Sequence, residues 1–247
     1  LSNGVQVRDM ATGVIHVLDS DTATYKQLNW TEEGNALAVL KGKSDKDYEN
    51  KRFSVVGFSE FKGGKHTKTT YVPEDDETFP ENMTLSPNRA PVWTDDLSGI
   101  LMGIHELKMT EKAKAAAEKK AEAEAIKEEE AKKGETKDGE KAKPDAKKGK
   151  KEPENDPAGL VIWHWKDKRM QSRQQVQAGR DKNFSYLSIY RVNEKKFIRL
   201  ADDELRTLTP TPRKSWAIGL DTNPYQLKGS LDGRRYRDIY VVNLKTG

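Results

Sequence analysis

The chain contains no cysteine among its 247 residues. That excludes disulfides, thiolate metal sites and a cysteine nucleophile, and it leaves the compartment open. It also lacks an apolar run approaching about 18 residues, so no segment reads as a membrane-spanning helix. The first residues, LSNGVQVRDM, have neither an initiator Met nor a charged lead into an apolar stretch, so they do not read as a signal peptide. Such a start, and a finish on VVNLKTG, read as cut from a longer protein. The net charge of +4 is small and spread along the chain, without the basic stripe of a nucleic-acid binder.

Hydrophobic and charged residues each make up 34% of the sequence, which is polar for a globule of this length unless the charge lies outside the core. It is concentrated in one block. From Lys108 to Asp156 there are 15 basic and 14 acidic residues, no aromatic residue, and only Met109 and Ile126 as large aliphatic side chains. Its first half, 110–133, is rich in helix formers, with pairs such as Lys114 with Glu118 and Glu128 with Lys132 at i, i+4 spacing. That predicts a solvated helix without an apolar stripe for packing. The second half, 134–157, is rich in Gly, Pro and Lys and reads as disordered. The block is therefore expected to be a loop insertion within one sheet, because long loops add little closure entropy.

Outside the block, one pattern occurs three times: LNWTEEGNALAVL (28–40), PVWTDDLSGILMGI (91–104) and LTPTPRKSWAIGL (208–220). Each is a short strand, a polar turn and an apolar strand, the signature of a β-hairpin. The first two copies begin 63 residues apart; the next gap is 117, or 68 without the 49-residue block. A second hairpin pattern alternates apolar and polar residues around an Asp or Asn turn: VQVRDMATGVIHVL (5–18), LSIYRVNEKKFIRL (187–200) and DIYVVNLKTG (238–247).

One hairpin of each kind makes a four-stranded antiparallel unit, and repetition of such units predicts propeller blades. The expected fold is all-β: a partial β-propeller of about three blades with a charged helical and disordered insertion. The blades run over 1–107 and 158–247, flanking an insertion at 108–157. In strands, the chain is read as the last two of one blade (5–18), a full blade (26–72), an interrupted full blade (83–200) and the first three of another (207–243).

The run GLVIWHWKDKRMQSRQQVQAGRDKNFSYLSIYRV (159–192), with FIRLADDELRTLTPTPRKSWAIGLDT and SLDGRRYRDIYVVNLKTG after it, carries a family resemblance. Together with the blade motifs LNWTEEGNALAVL, DMATG and VNLKTG, it resembles the N-terminal propeller region of bacterial serine peptidases of the prolyl oligopeptidase family. The resemblance implies a propeller that caps an α/β-hydrolase domain and restricts access to its Ser, Asp and His triad. It implies that domain of the parent chain and peptide substrates as partners, with neither nucleic acid nor membrane among them. It also implies a periplasmic or secreted setting, a cytoplasmic one staying open. The sequence contains no Gly-x-Ser-x-Gly and no β/α alternation, so no residue is assigned a catalytic, cofactor or metal role and no cofactor is expected. The alternative is a free-standing propeller that binds or scaffolds protein or glycan ligands.

Individual candidates read as structural. His16, His66, His105 and His164 are scattered, without the spacing of a triad or of metal ligands. The acidic runs 74–77 and 201–204 read as turns between blades, and Gly42 with Lys43 lacks the spacing of a phosphate loop. Arg234 with Arg235, and the arginines from Arg169 to Arg180, read as surface charge. The sequons at Asn29, Asn82 and Asn183 read as chance matches. In GLVIWHWKDKR (159–169) alternation puts Trp163 and Trp165 on one side of an expected packed strand, with Ile162 and His164 on the other.

Overall fold

The computed structural model describes residues 3–62, 65–115, 164, 167 and 169–247. The chain divides into two compact units, one made of Leu1–Thr110 with Lys168–Gly247 and the other of Glu111–Asp167. In the second unit residues 111–115 are helical, and the backbone N–H of His164 donates to Asp167 Oδ2 at 3.0 Å. The rest of the expected helix over 110–133, the low-complexity stretch 134–157, and Trp163 and Trp165 of the expected strand lie outside the described residues.

The first unit is all-β at its centre. A first sheet pairs β1 (Asn3–Arg8) with β2 (Ile15–Asp21). The second is a four-stranded meander of β3 (Thr24–Trp30), β4 (Ala36–Lys43), β5 (Arg52–Lys62) and β6 (Lys65–Tyr71), paired in chain order. In the third, β9 (Gly99–Glu106) pairs on one side with the short β7 (Met83–Leu85) and β8 (Val92–Trp93). On its other side lies β10 (Tyr186–Arg191), followed by β11 (Lys196–Arg199). The fourth comprises β12 (Thr207–Pro210), β13 (Trp216–Asp221) and β14 (Asp238–Asn243). Every pairing is antiparallel. The excursion from Glu106 to Tyr186 thus joins two neighbouring strands of one sheet, at the place that the β4–β5 loop occupies in the second.

The inner strands of the second and third sheets are apolar on both faces, and the two faces serve different neighbours. On β4, Ala36, Ala38 and Leu40 join Phe53, Val55 and Tyr71 against Trp93, Ile100, Met102 and Ile104 of the third sheet. The alternate residues Leu37 and Val39, with Val56 and Phe58, pack on Val5 and Leu18 of the first sheet. The third sheet repeats the device: Leu101, Leu187 and Ile189 face Leu208, Ala217 and Leu244. Three separate apolar layers therefore lie between four successive sheets, which is the stacking of a propeller-like fold.

Two helices flank the third and fourth sheets. α1 (Gln171–Lys182) buries no side chain and carries Arg180 and Lys182 in its last turn, where the helix dipole favours cations. α2 (Gln226–Asp232) ends at Gly233, whose φ of 68° supplies the left-handed cap that glycine adopts without a Cβ clash. Arg173 reaches Ser230 and Arg169 reaches Gln226, both at 3.4 Å, so side chains link the helices. No helix among the described residues is long and apolar enough to cross a membrane.

Candidate functional site

The three repeated turns close in the same way. Thr31 N–H donates to Ala36 O, Thr94 N–H to Gly99 O and Thr211 N–H to Trp216 O, at 2.8–2.9 Å. Three residues after each threonine the chain enters the left-handed region: Gly34 at φ 67°, Leu97 at 53° and Lys214 at 49°. The shared Thr is explained by its hydroxyl, which in the first copy accepts the N–H groups of Asn35 and Ala36 and in the second that of Gly99.

The second and third of these turns gather charge between the third and fourth sheets. A cavity of about 370 Å³ is lined by Asp95, Asp96, Arg191, Arg213, Lys214 and Lys245, among others. Lys214 Nζ lies 2.8 Å from Asp95, Lys245 Nζ 3.7 Å from Asp96, and Arg191 2.8 Å from Glu194. Arg191 also donates to the carbonyl of Lys245. Burial works to raise the Asp96 pKa, but hydrogen bonds from Ser98 and Thr94 and the nearby Lys245 outweigh it and hold the group at about 2. The Lys214–Asp95 and Lys245–Asp96 pairs join the fourth sheet to the third, so this cavity is bordered by a polar clamp between sheets.

The first-strand edges are tied across sheets by polar bonds. Gln27 donates to Pro87 O at 3.0 Å, Asn29 to Pro91 O at 3.2 Å and the Trp93 indole to Leu37 O at 3.1 Å. Along this edge a second, more apolar cavity of about 320 Å³ spans three sheets, from Glu32 past Arg89, Val92 and Leu101 to Pro210 and Lys214. Concave surface with a few polar groups at sheet boundaries is where a ligand finds both area and orientation.

The sequence candidates are not brought together. His16 lies on β2, opposite Val7; His66 lies on β6, in ring contact with Phe58 and Phe61. His105 lies one residue before the end of β9, and burial, then Lys108, pushes its pKa down. His164 belongs to the other unit and is exposed. Among the described residues no three His, Asp or Glu side chains are grouped as metal ligands.

The acidic run 74–77 sits between the second and third sheets, with Glu74 paired to Arg52 at 2.7 Å. The run 201–204 sits between the third and fourth, with Asp203 accepting from Tyr186 Oη at 2.5 Å. Gly42 and Lys43 are strand residues; a Cβ on Gly42 would fall 2.5 Å from the Phe53 ring, so the glycine makes room for packing. Arg169 pairs with Asp181 at 2.8 Å. Arg234 and Arg235 are exposed beyond α2. Asn29 is engaged with Pro91, Asn82 precedes β7 at φ 59°, and Asn183 caps α1.

Two features have little signal in the sequence. α1 carries Val176 as its one large aliphatic residue, and its sequence shows no apolar stripe. The other is a network in which Asp19 accepts from Lys41 (2.9 Å), Lys68 (2.7 Å) and Tyr25 (2.6 Å), partners 6 to 49 residues away.

No protein-family model matches the chain, and no curated protein does. In structure it is similar to the crystal structure of the tricorn protease, with a TM-score of 0.34 and 8% identity over 98% of this chain and 20% of that one. The chain spans about a fifth of the length of that protein.

Proposed function

We propose that the chain is a non-catalytic propeller segment of a prolyl-oligopeptidase-like serine peptidase, packing on an α/β-hydrolase domain and limiting which peptides reach it. The observation that carries this reading is the register of the sheets. The inner strands of the second and third sheets each present one apolar face to the sheet before and one to the sheet after, and the outer face of β13 leaves Trp216 and Ile218 exposed, so the segment is built to be one arc of a stack. The first-strand edges and their cavity of about 320 Å³ supply a rigid concave border. In such an arrangement selection is steric: short extended peptides pass the border and folded proteins do not. The absence of Gly-x-Ser-x-Gly from the sequence favours an accessory role over a catalytic one.

The test uses the coding sequence beyond Gly247 and the product it encodes. A Gly-x-Ser-x-Gly elbow is expected there, together with labelling of the product by a serine-directed phosphonate and cleavage of short peptides but not of a folded protein. Lack of the elbow, or equal cleavage of both substrates, would overturn the reading.

A further inference from the structure

The partly buried cations of this chain generally meet carboxylates. Lys41 contacts Asp19 and Asp21, Arg52 contacts Asp45 and Glu74, and Lys214 contacts Asp95, all within 3.6 Å. Arg89 departs from this rule. Among the described residues no carboxylate lies within ion-pair distance of its guanidinium, and its one side-chain bond runs from Nε to Ser185 Oγ at 3.3 Å. Its Cβ lies tight against the backbone of β9, 2.8 Å from where a Cβ on Gly103 would stand, so the base of the side chain is fixed. Its other guanidinium nitrogens are not sealed from solvent, so their donors stay available to an acceptor of opposite charge.

Arg89 opens onto a wide, shallow recess of about 750 Å³ shared with Asn88, Arg180, Asn183, Phe184 and Ser185. Two guanidinium groups, two carboxamides and a hydroxyl furnish these walls, and among the described residues no carboxylate lines them. Arg206 adds a third cation next to the same wall, its guanidinium 4.3 Å from the centre of the Phe184 ring. Arg180 stands in the last turn of α1, whose carbonyl end would repel an anion. That opposition is reduced because the Gly179 carbonyl already accepts the Asn183 N–H at 3.3 Å. Asp181, the nearest acid in sequence, is held by Arg169 at 2.8 Å.

We propose that this recess binds a small oxyanion, a carboxylate or a phosphate, with Arg89 as the fixed bidentate donor and Arg180 closing on it from α1. Planar guanidinium forks suit both anions. The site requires no catalytic domain, although Arg89 also borders the cavity of about 320 Å³.

The test is an NMR titration of the full chain with inorganic phosphate and, separately, with acetate at constant ionic strength. Saturable shifts confined to residues 88–90 and 179–185 are expected, and the anion that binds more tightly identifies the source chemistry. Arg89→Gln with Arg180→Gln should weaken that anion at least tenfold. Arg180→Gln alone, at an exposed helix position, should weaken it severalfold without altering the fold. No saturable response to either anion, or unchanged affinity in Arg180→Gln and in the double variant, would overturn the proposal.

Discussion

The indole Nε1 of Trp93 donates to the backbone carbonyl of Leu37 at 3.1 Å, a buried hydrogen bond between two neighbouring sheets. The ring reaches that carbonyl because Gly57 has no side chain: a Cβ there would stand 2.4 Å from Trp93 Cζ2 and 3.0 Å from Ile100 Cδ1. Gly57→Ala should therefore destabilise the protein by about 1–3 kcal/mol through overpacking, and Trp93→Ala by about 3–5 kcal/mol through the cavity it leaves. Chemical denaturation checks both. In a Trp93→Leu background Gly57→Ala should cost clearly less, and equal costs in the two backgrounds would show that the indole is not what the glycine accommodates.

The Asp19 network predicts an acid limb. Burial works to raise the Asp19 pKa, but bonds from Lys68, Tyr25 and Lys41 prevail and hold it well below the usual carboxylate range. Asp21, bonded by Lys41 and the Thr22 N–H, is held at about 2. Unfolded carboxylates titrate near ~4, so these groups bind fewer protons folded than unfolded between those values. Their stabilisation is full above about pH 4 and is lost as pH falls through the folded values. Asp19→Asn should flatten the loss of stability between pH 4 and 2 and cost about 1–3 kcal/mol at pH 7, since Lys41 is left partly buried with Asp21 alone. Urea unfolding across that range measures both effects.

His105 gives a slope at higher pH. Burial, assisted by Lys108, lowers its pKa, and its Nε2 has no hydrogen-bond partner among the described residues. The unfolded state therefore binds the extra proton first, so the contribution is full above the ordinary histidine value of ~6.5 and is lost as pH falls below it. His105→Leu should remove that slope between about pH 7 and 5 and change stability at pH 7 by less than about 1 kcal/mol.

How far the sequence foretold this arrangement depended on periodicity. The apolar runs 36–40 and 99–104 marked strands that enter a core, and the spacing of the Thr turns marked their repetition, including the repeat split by the charged block. What escaped were features set by distant partners. Leu97 and Lys214 adopt the left-handed conformation without being glycine or asparagine, because their turns copy the one made by Gly34. Asp19 finds Lys41 and Lys68 only after the sheets pair, and the lining of the Arg89 recess comes from segments some 90 residues apart.

The turns offer a test of that copying. At Gly34 nothing among the described residues stands within 4 Å of where a Cβ would lie, so a substitution there meets backbone strain. Gly34→Ala should cost about 1–2 kcal/mol, whereas Gly34→Asn, a residue that visits this region readily, should cost less than half as much. Denaturant midpoints of the two variants give the comparison. Equal losses would mean the turn relaxes out of the left-handed region.

The charged block should be dispensable to the sheets. β9 and β10 pair along six residues, from Ile104 with Tyr186 to Gly99 with Arg191. On one side of the excursion Thr110 N–H is held by Asp47 O at 2.9 Å, and on the other α1 is joined to α2 through Arg169 and Arg173. Replacing residues 111–167 with a flexible linker of about a dozen residues preserves these anchors. Loop closure depends only logarithmically on length, so the shorter connection should stabilise the folded state by roughly 1 kcal/mol. Thermal unfolding should then occur within a few degrees of the parent, at the same or a higher temperature. A fall of about ten degrees or more would mean that Glu111–Asp167 contributes packing on which the sheets depend.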